Sequence, residues 1–139
     1  ADGFYEWQKS GRAPSRPFFI TRRDGEPLAL AGLWRASRLD DGSVLETCAV
    51  LTTDAWPGIR SIHHRMPVLL APEAVGLWLD PDLTDATLLR ATLATVPEDA
   101  LAAVEVDREV NDPRNDHAAL TRPLAPREPS PPPRQGSLL

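Results

Sequence analysis

The stretch "PLALAGLWRASRLDDGSVLETCAVLTT", residues 27–53, decides the fold class. Its first part, Pro27 to Ala36, is mostly apolar and predicts a buried strand, and Asp41-Gly42 is a strong turn signal. The part after the turn, Ser43 to Thr53, is rich in Val, Thr and Leu, which favour strands. Because a short turn joins neighbouring strands in opposite directions, residues 27–53 predict an antiparallel hairpin.

The flanking sequence extends this pattern. "GFYEW" (Gly3 to Trp7) and "PFFIT" (Pro17 to Thr21) read as short strands separated by a Gly/Pro/Ser/Arg loop over Ser10 to Arg16. A further strand is expected at Met66 to Leu70. Two helices follow, over Ala71 to Leu79 and over Ala86 to Ala94, and Asp85 is the expected cap of the second. Alternating apolar and charged residues then predict a half-exposed strand over Leu101 to Val110. The expected fold class is α+β, a mainly antiparallel β core with a barrel-like sheet and a few flanking helices.

The chain of 139 residues is long enough for one domain. We expect the folded domain to cover residues 1–122. From Pro123 to Leu139 the sequence carries six of the 15 prolines and few large apolar residues. Such a segment buries too little surface to offset its ordering entropy, so we expect a flexible proline-rich tail at 123–139.

Charge is distributed unevenly along the chain. Residues 1–38 carry seven Lys/Arg against four Asp/Glu, a net charge of +3, whereas the remainder carries eight against sixteen, a net charge of −8. The overall charge of −5 argues against a general polyanion binder, but the basic first third permits nucleic acid. No apolar stretch approaches the ~18 residues of a membrane span. The sequence predicts a cytoplasmic protein.

Cys48 is the only cysteine. It excludes an internal disulfide and offers a metal at most one thiolate, so no metal site is expected. Its position in the middle of a predicted strand indicates a small buried hydrophobe rather than a nucleophile.

The stretch "SIHHRMPVLL" (Ser61 to Leu70) holds two of the three histidines. If it is extended, His63 and His64 point to opposite faces, and Arg65 shares the face of His63. One interpretation is a satisfied buried histidine beside a surface one. The other is a His/Arg pair that binds an anion such as phosphate.

Glu6 lies between Tyr5 and Trp7 in an aromatic strand. Its carboxylate belongs either to a solvated face or to a cleft, where it would give and accept protons. Trp7 precedes Lys9 and Arg12, so it is well placed to stack on an unpaired base beside a basic surface. The three other tryptophans are expected to be core or partly buried residues.

Four pieces, "ADGFYEW", "AGLW", "IHHRMPVLL" and "VNDPRNDHAAL", together resemble the SRAP family, the SOS-response-associated peptidases that recognise abasic sites in single-stranded DNA. The resemblance covers Ala1 to about Pro123. It implies a mainly β domain with flanking helices and a positively charged groove for single-stranded DNA.

The resemblance implies a role for particular residues. Glu6 and His63 correspond to the family's acid/base residues, Arg65 would hold DNA phosphate, and Trp7 would pack against nucleotides. In the family an N-terminal cysteine condenses with the ring-opened aldehyde of an abasic sugar to form a thiazolidine, a covalent DNA–protein crosslink. The same residues are thought to remove the residue that precedes the cysteine. No cofactor is implied, and we expect a monomer that associates with the bacterial nucleoid when it binds DNA.

This sequence departs from the family pattern at two places. The family's cysteine and its companion asparagine belong to a region before Ala1, so residues 1–139 alone are expected to be inactive in crosslinking. The family usually reads "T-x-x-A-N" where this sequence has "TTDAW", with Trp56 in place of asparagine. Two alternatives stay open: a non-catalytic module that binds single-stranded DNA or a protein, and an ordinary protease acting on peptides.

Overall fold

The computed structural model describes residues 1–93 and 97–125, and it confirms an α+β fold built on antiparallel strand pairs. The strands are β1 (Phe4–Ser10), β2 (Ala13–Arg22), β3 (Ala29–Leu30), β4 (Gly32–Arg38), β5 (Val44–Val50), β6 (Thr52–Asp54), β7 (Arg65–Pro67), β8 (Leu69–Leu70) and β9 (Leu101–Glu105). The α-helices are α1 (Pro57–Arg60), α2 (Pro72–Trp78) and α3 (Ala86–Thr92), and short 3-10 helices cover Glu98–Ala100, Arg108–Asn111 and Ala118–Thr121.

The β1–β2 hairpin forms the part of the molecule that carries the site. β1 pairs antiparallel with β2, with Phe4 opposite Ile20 and Trp7 opposite Pro17, and β9 pairs with the other edge of β2. The predicted loop over Ser10 to Arg16 is wrong, because the chain reverses within two residues at Gly11, whose φ of +54° suits glycine. β1 is therefore an outer strand of the three-stranded sheet β1-β2-β9.

The hairpin predicted over residues 27–53 is confirmed as β4 and β5, with Gly42 in the turn at φ +83°. Its predicted burial is wrong, because the pair forms a separate two-stranded sheet with solvent on both faces. Trp34 is 74% exposed and lies opposite Cys48, which is exposed as well. The apolar run and the Val, Thr and Leu residues predicted strands here, but these local signals do not show which residues cover a strand.

In the main core, the three-stranded sheet packs against residues 55–69, which include helix α1 and strand β7. Ile20, Met66 and Leu101 are almost fully buried in one cluster, and Phe4 packs against it from β1. The predicted strand at Met66 to Leu70 is split at Val68 into β7, which pairs with β6, and β8, which pairs with β3. This packing fixes the position of the chain just before β7, where His63 lies.

Both predicted helices are present, and Asp85 caps α3 by accepting from the backbone N–H groups of Thr87 and Leu88 at 2.7 and 3.3 Å. The predicted end of this helix, Ala94, lies outside the described residues. The strand predicted to reach Val110 is wrong beyond Glu105. The chain turns there, because Asp107 accepts from the backbone of Glu109 and starts a 3-10 helix.

Two further expectations need comment. The barrel-like sheet is wrong for the described residues, where the strands form one three-stranded and three two-stranded sheets with no closed barrel. Of the predicted tail at 123–139, residues 126–139 lie outside the described residues. Over residues 1–93 and 97–125, no helix has the length and apolar character needed to cross a membrane.

Candidate functional site

Strand β1 presents its side chains alternately to two sides. Glu6 and Gln8 point towards the turn at Ser61–His63, which follows helix α1. Trp7 points to the opposite side, where its indole Nε1 donates to Asn111 Oδ1 at 2.7 Å. Among the described residues β1 is an outer strand, so its two sides meet around the edge that does not pair with β2.

The turn after α1 places His63. The backbone N–H groups of Ile62 and His63 both donate to the carbonyl of Ile59, at 2.8 and 3.1 Å, and Ile59 and Ile62 are buried. The segment is therefore a turn and not an extended strand. The expectation that His63 and His64 point to opposite faces is wrong, since their ring centroids lie 4.5 Å apart.

Glu6 and His63 meet in space. The Glu6 Oε2 atom lies 3.6 Å from His63 Nδ1, and the two side chains are only 21% and 35% exposed. The same Nδ1 lies 3.0 Å from the Arg65 carbonyl oxygen and 3.3 Å from the Arg65 backbone nitrogen. Nδ1 therefore has an acceptor when it is protonated and a donor when it is not, which suits a ring that exchanges protons.

Gln8 joins β1 to the turn that carries His63. Its Nε2 donates to the Ser61 carbonyl at 2.8 Å, while its Oε1 accepts from Arg16 Nη1 at 3.1 Å. Arg16 is held in turn by a two-pronged ion pair with Glu105 on β9. Sequence reasoning missed Gln8. Its place two residues after Glu6 on the same face of a strand was the available signal.

Arg65 is engaged within the protein. Its guanidinium contacts the Asp54 carboxylate at 3.1 Å and donates to the carbonyl and hydroxyl oxygens of Thr52 at 2.7 and 2.9 Å. These bonds tie β7 to β6. The expected role of Arg65 in holding phosphate stays a prediction.

The other side of β1 is aromatic. Tyr5 packs on Phe19 with ring centroids 4.9 Å apart, and its ring lies 6.3 Å from that of Trp7. Burial raises the pKa of the Tyr5 phenol. The two β1 rings line a cleft of about 690 Å³ whose far wall is the segment 110–121, which includes Asn115 and His117.

The other residues singled out in the sequence lie elsewhere in the fold. Lys9 and Arg12 are exposed at the end of the β1–β2 hairpin, beyond Trp7. Trp56 is half-buried against the main core, and its backbone N–H lies 3.5 Å from the sulfur of Met66. Cys48 is exposed on β5, so its predicted burial is wrong. No group of three or more metal-ligating side chains occurs among residues 1–93 and 97–125.

Comparison with known proteins gives consistent matches. Residues 1–113 match the model of the SOS response associated peptidase (SRAP) family. The chain is 34% identical over 120 residues to abasic site processing protein YoqW of Bacillus subtilis, covering 86% of this chain and 54% of that protein. It is 32% identical over 126 residues to abasic site processing protein YedK of Escherichia coli, covering 89% of this chain and 55% of that protein.

Solved structures agree with these matches. The fold is similar to that of a Bacteroides thetaiotaomicron protein, with a TM-score of 0.76 and 26% identity over 90% of this chain and 55% of that one. A Bordetella bronchiseptica protein gives a TM-score of 0.64 and 36% identity over 77% of this chain and 52% of that one. The chain spans about half the length of the curated relatives it matches. The predicted family is confirmed: this chain belongs to the SRAP family.

Proposed function

We propose that this protein binds single-stranded DNA and processes abasic sites, with Glu6 and His63 moving the protons. The observation that carries the proposal is the 3.6 Å approach of the Glu6 carboxylate to His63 Nδ1. These residues come from different elements, and they are the two positions that the family resemblance assigns to acid/base chemistry. The matched relatives are abasic site processing proteins, which supports the choice of substrate.

The proposed reaction joins the aldehyde of a ring-opened abasic sugar to an N-terminal cysteine. The cysteine amine adds to the carbonyl carbon, and the resulting carbinolamine loses water to give an imine. The thiol sulfur then bonds to the imine carbon, and the proton from sulfur goes to nitrogen, which closes a thiazolidine. The cysteine is a co-reactant supplied by a residue outside the 139 of this sequence.

Each step has a proton to move. Departure of the hydroxyl as water requires an acid, a role that fits the protonated Glu6 side chain. Ring closure requires a base for the thiol. When His63 Nδ1 donates to the Arg65 carbonyl, the ring's Nε2 carries the free lone pair that can take this proton.

The same pair fits the peptidase reaction in the family's description. Water would add to the carbonyl of the peptide bond before the cysteine as a carboxylate takes one of its protons. The C–N bond would then break as that proton passes to the departing amine. This step would free the cysteine amine needed for condensation, as part of a response to DNA damage.

Single-stranded DNA would lie along the end of the β1–β2 hairpin. Lys9 and Arg12 are exposed there and can contact phosphates, and Trp7 adds an aromatic surface. These same residues favour the second candidate function, a non-catalytic DNA-binding module. The two candidates differ in whether a covalent product forms.

The test incubates the natural protein, with any residues that precede Ala1, with single-stranded DNA that bears one abasic site. A denaturing gel should show a slower band whose rate of formation falls about 10²-fold or more in Glu6→Gln or His63→Asn. The exposed substitution Glu46→Gln on β5 is the matched control and should leave the rate unchanged.

A salt-sensitive shift on native gels without any denaturing-gel product would overturn the enzymatic proposal and favour the binding module. Cleavage of an unrelated peptide at a rate that depends on Glu6 would instead favour an ordinary protease.

A further inference from the structure

His64 lies directly beside the candidate site, and the proposed chemistry does not use it. Its backbone carbonyl accepts from the Ala55 N–H at 2.9 Å, which fixes the chain at this point. Its ring lies 4.5 Å from the ring of His63, centroid to centroid, at an angle of 45°. The residue is exposed. A substrate that reaches His63 from solvent therefore comes close to His64.

The two histidine rings differ in their hydrogen bonds. His63 Nδ1 lies 3.6 Å from the Glu6 carboxylate and 3.0 Å from the Arg65 carbonyl oxygen. Within residues 1–93 and 97–125, the ring of His64 makes no hydrogen bond and no ion pair. Both of its nitrogens are therefore available to a ligand. A protonated imidazole offers two N–H donors and a positive charge, which together suit a phosphate.

The other charged groups around this turn already have partners or lie on other elements. The Arg65 guanidinium is paired with the Asp54 carboxylate at 3.1 Å, so part of its charge is balanced within the protein. Glu6 of β1 is directed to the neighbouring histidine ring. Helix α1 contributes Arg60, which is exposed in its last turn. His64 thus combines contact with the candidate site and a ring without a partner among the described residues.

We propose that His64 binds the phosphate that joins the abasic sugar to the next nucleotide, and that its protonation strengthens DNA binding as the pH falls. The inference rests on the proposed function, because it places the abasic sugar at His63. Each sugar of a DNA strand carries a phosphate on either side, so a sugar at His63 brings a phosphate to the adjacent ring. Histidine side chains gain their positive charge at about pH 6.5, and the charge strengthens a hydrogen bond to phosphate.

The test measures how the natural protein binds single-stranded DNA that carries one tetrahydrofuran, a non-reactive analogue of the abasic sugar. Fluorescence anisotropy at one ionic strength should show tighter binding by the parent at about pH 5.5 than at about pH 8. His64→Gln should lose about threefold to tenfold in affinity at the acidic pH and little at the alkaline pH. His64→Arg is charged at both pH values and should bind tightly at both.

His117→Gln is the matched control. This histidine is also exposed, but its Nε2 lies 3.7 Å from Glu109 Oε2 within the segment 107–121 and not beside His63. The variant should keep the parental change of affinity with pH. Comparison with this control separates His64 from any general effect of removing an imidazole.

Salt dependence gives a second readout that a change in folding would not produce. At the acidic pH, the slope of log K against log salt should be less steep by about 0.7 in His64→Gln, because one phosphate contact is lost. His64→Arg should restore the slope. Equal pH dependence and equal salt slopes in the parent and His64→Gln overturn the inference about His64. They leave the proposed function standing, since crosslinking is measured separately. Failure of the parent to bind this DNA at either pH overturns both.

Discussion

Gln8 donates from Nε2 to the carbonyl oxygen of Ser61 at 2.8 Å, and this bond ties the strand that carries Glu6 to the turn that carries His63. The approach of the carboxylate to the imidazole therefore depends on a third side chain. Arg16 holds the other end of the Gln8 amide, so the arrangement extends across the sheet to β9.

Gln8→Glu is expected to lower the rate of abasic-site processing by about 10- to 100-fold, because a displaced turn misplaces His63 relative to Glu6. The substitution keeps size and the acceptor for Arg16 but removes the donor to Ser61. Single-turnover rates with saturating DNA should fall. The dissociation constant for single-stranded DNA that carries tetrahydrofuran, a non-reactive analogue of the abasic sugar, should stay the same. A parental rate in Gln8→Glu would show that this bond does not position the turn.

Glu6→Gln and His63→Asn should have strongly non-additive effects, since the proposed steps that use them are consecutive and the slower step sets the overall rate. The double variant should be about as slow as the slower single variant. The measurement is the crosslinking rate of parent, single and double variants at one pH. Losses that multiply in the double variant would mean that both groups contribute to the same step, which contradicts the proposed division of roles.

Tyr5 should titrate above the ordinary tyrosine value of 10.0, because burial raises the pKa of its phenol. As the folded state favours the neutral phenol, this contribution to stability is complete below the unfolded pKa and is lost as pH rises through and above it. Tyr5 is the only tyrosine, so phenolate absorbance reports it alone. A midpoint equal to that of the denatured protein would contradict the expected burial.

Leu69→Ala should destabilise the protein by about 2–5 kcal/mol, because Leu69 is 4% exposed in the main core cluster. The same change at Leu79, which is 71% exposed, should alter the free energy of unfolding by about 0.5 kcal/mol or less. Urea unfolding of both variants provides the comparison. Similar losses at the two positions would show that Leu69 is not a core residue.

Local signals in the sequence predicted much of the fold. Asp41-Gly42 marked the hairpin turn, Asp85 marked the start of α3, and the aromatic run at Gly3 to Trp7 marked β1, because turn, cap and strand preferences act over a few residues. What covers a strand depends on distant residues. Trp34 and Cys48 were therefore expected inside and are found exposed.

The candidate site shows the same division. The pairing of Glu6 with His63 followed from the family resemblance, and no local pattern near either residue indicates it. The bend at His63 depends on hydrogen bonds to Ile59, so an assumed extended segment gave the wrong relation to His64. Gln8 was missed because its role depends on a tertiary contact with Ser61.

Side chains alternate between the two faces of β1, so the candidate site depends on which residues of β1 point to which face. Glu6 and Gln8 face the turn that carries His63, whereas Tyr5 and Trp7 form an aromatic surface, so inserting one residue between Gln8 and the turn at Gly11 would exchange the two sets. No change of residue type would be needed to abolish the site. The tight turn at Gly11 and its short connection to β2 fix the phase of β1. A glycine outside the candidate site therefore controls which side chains of β1 face His63.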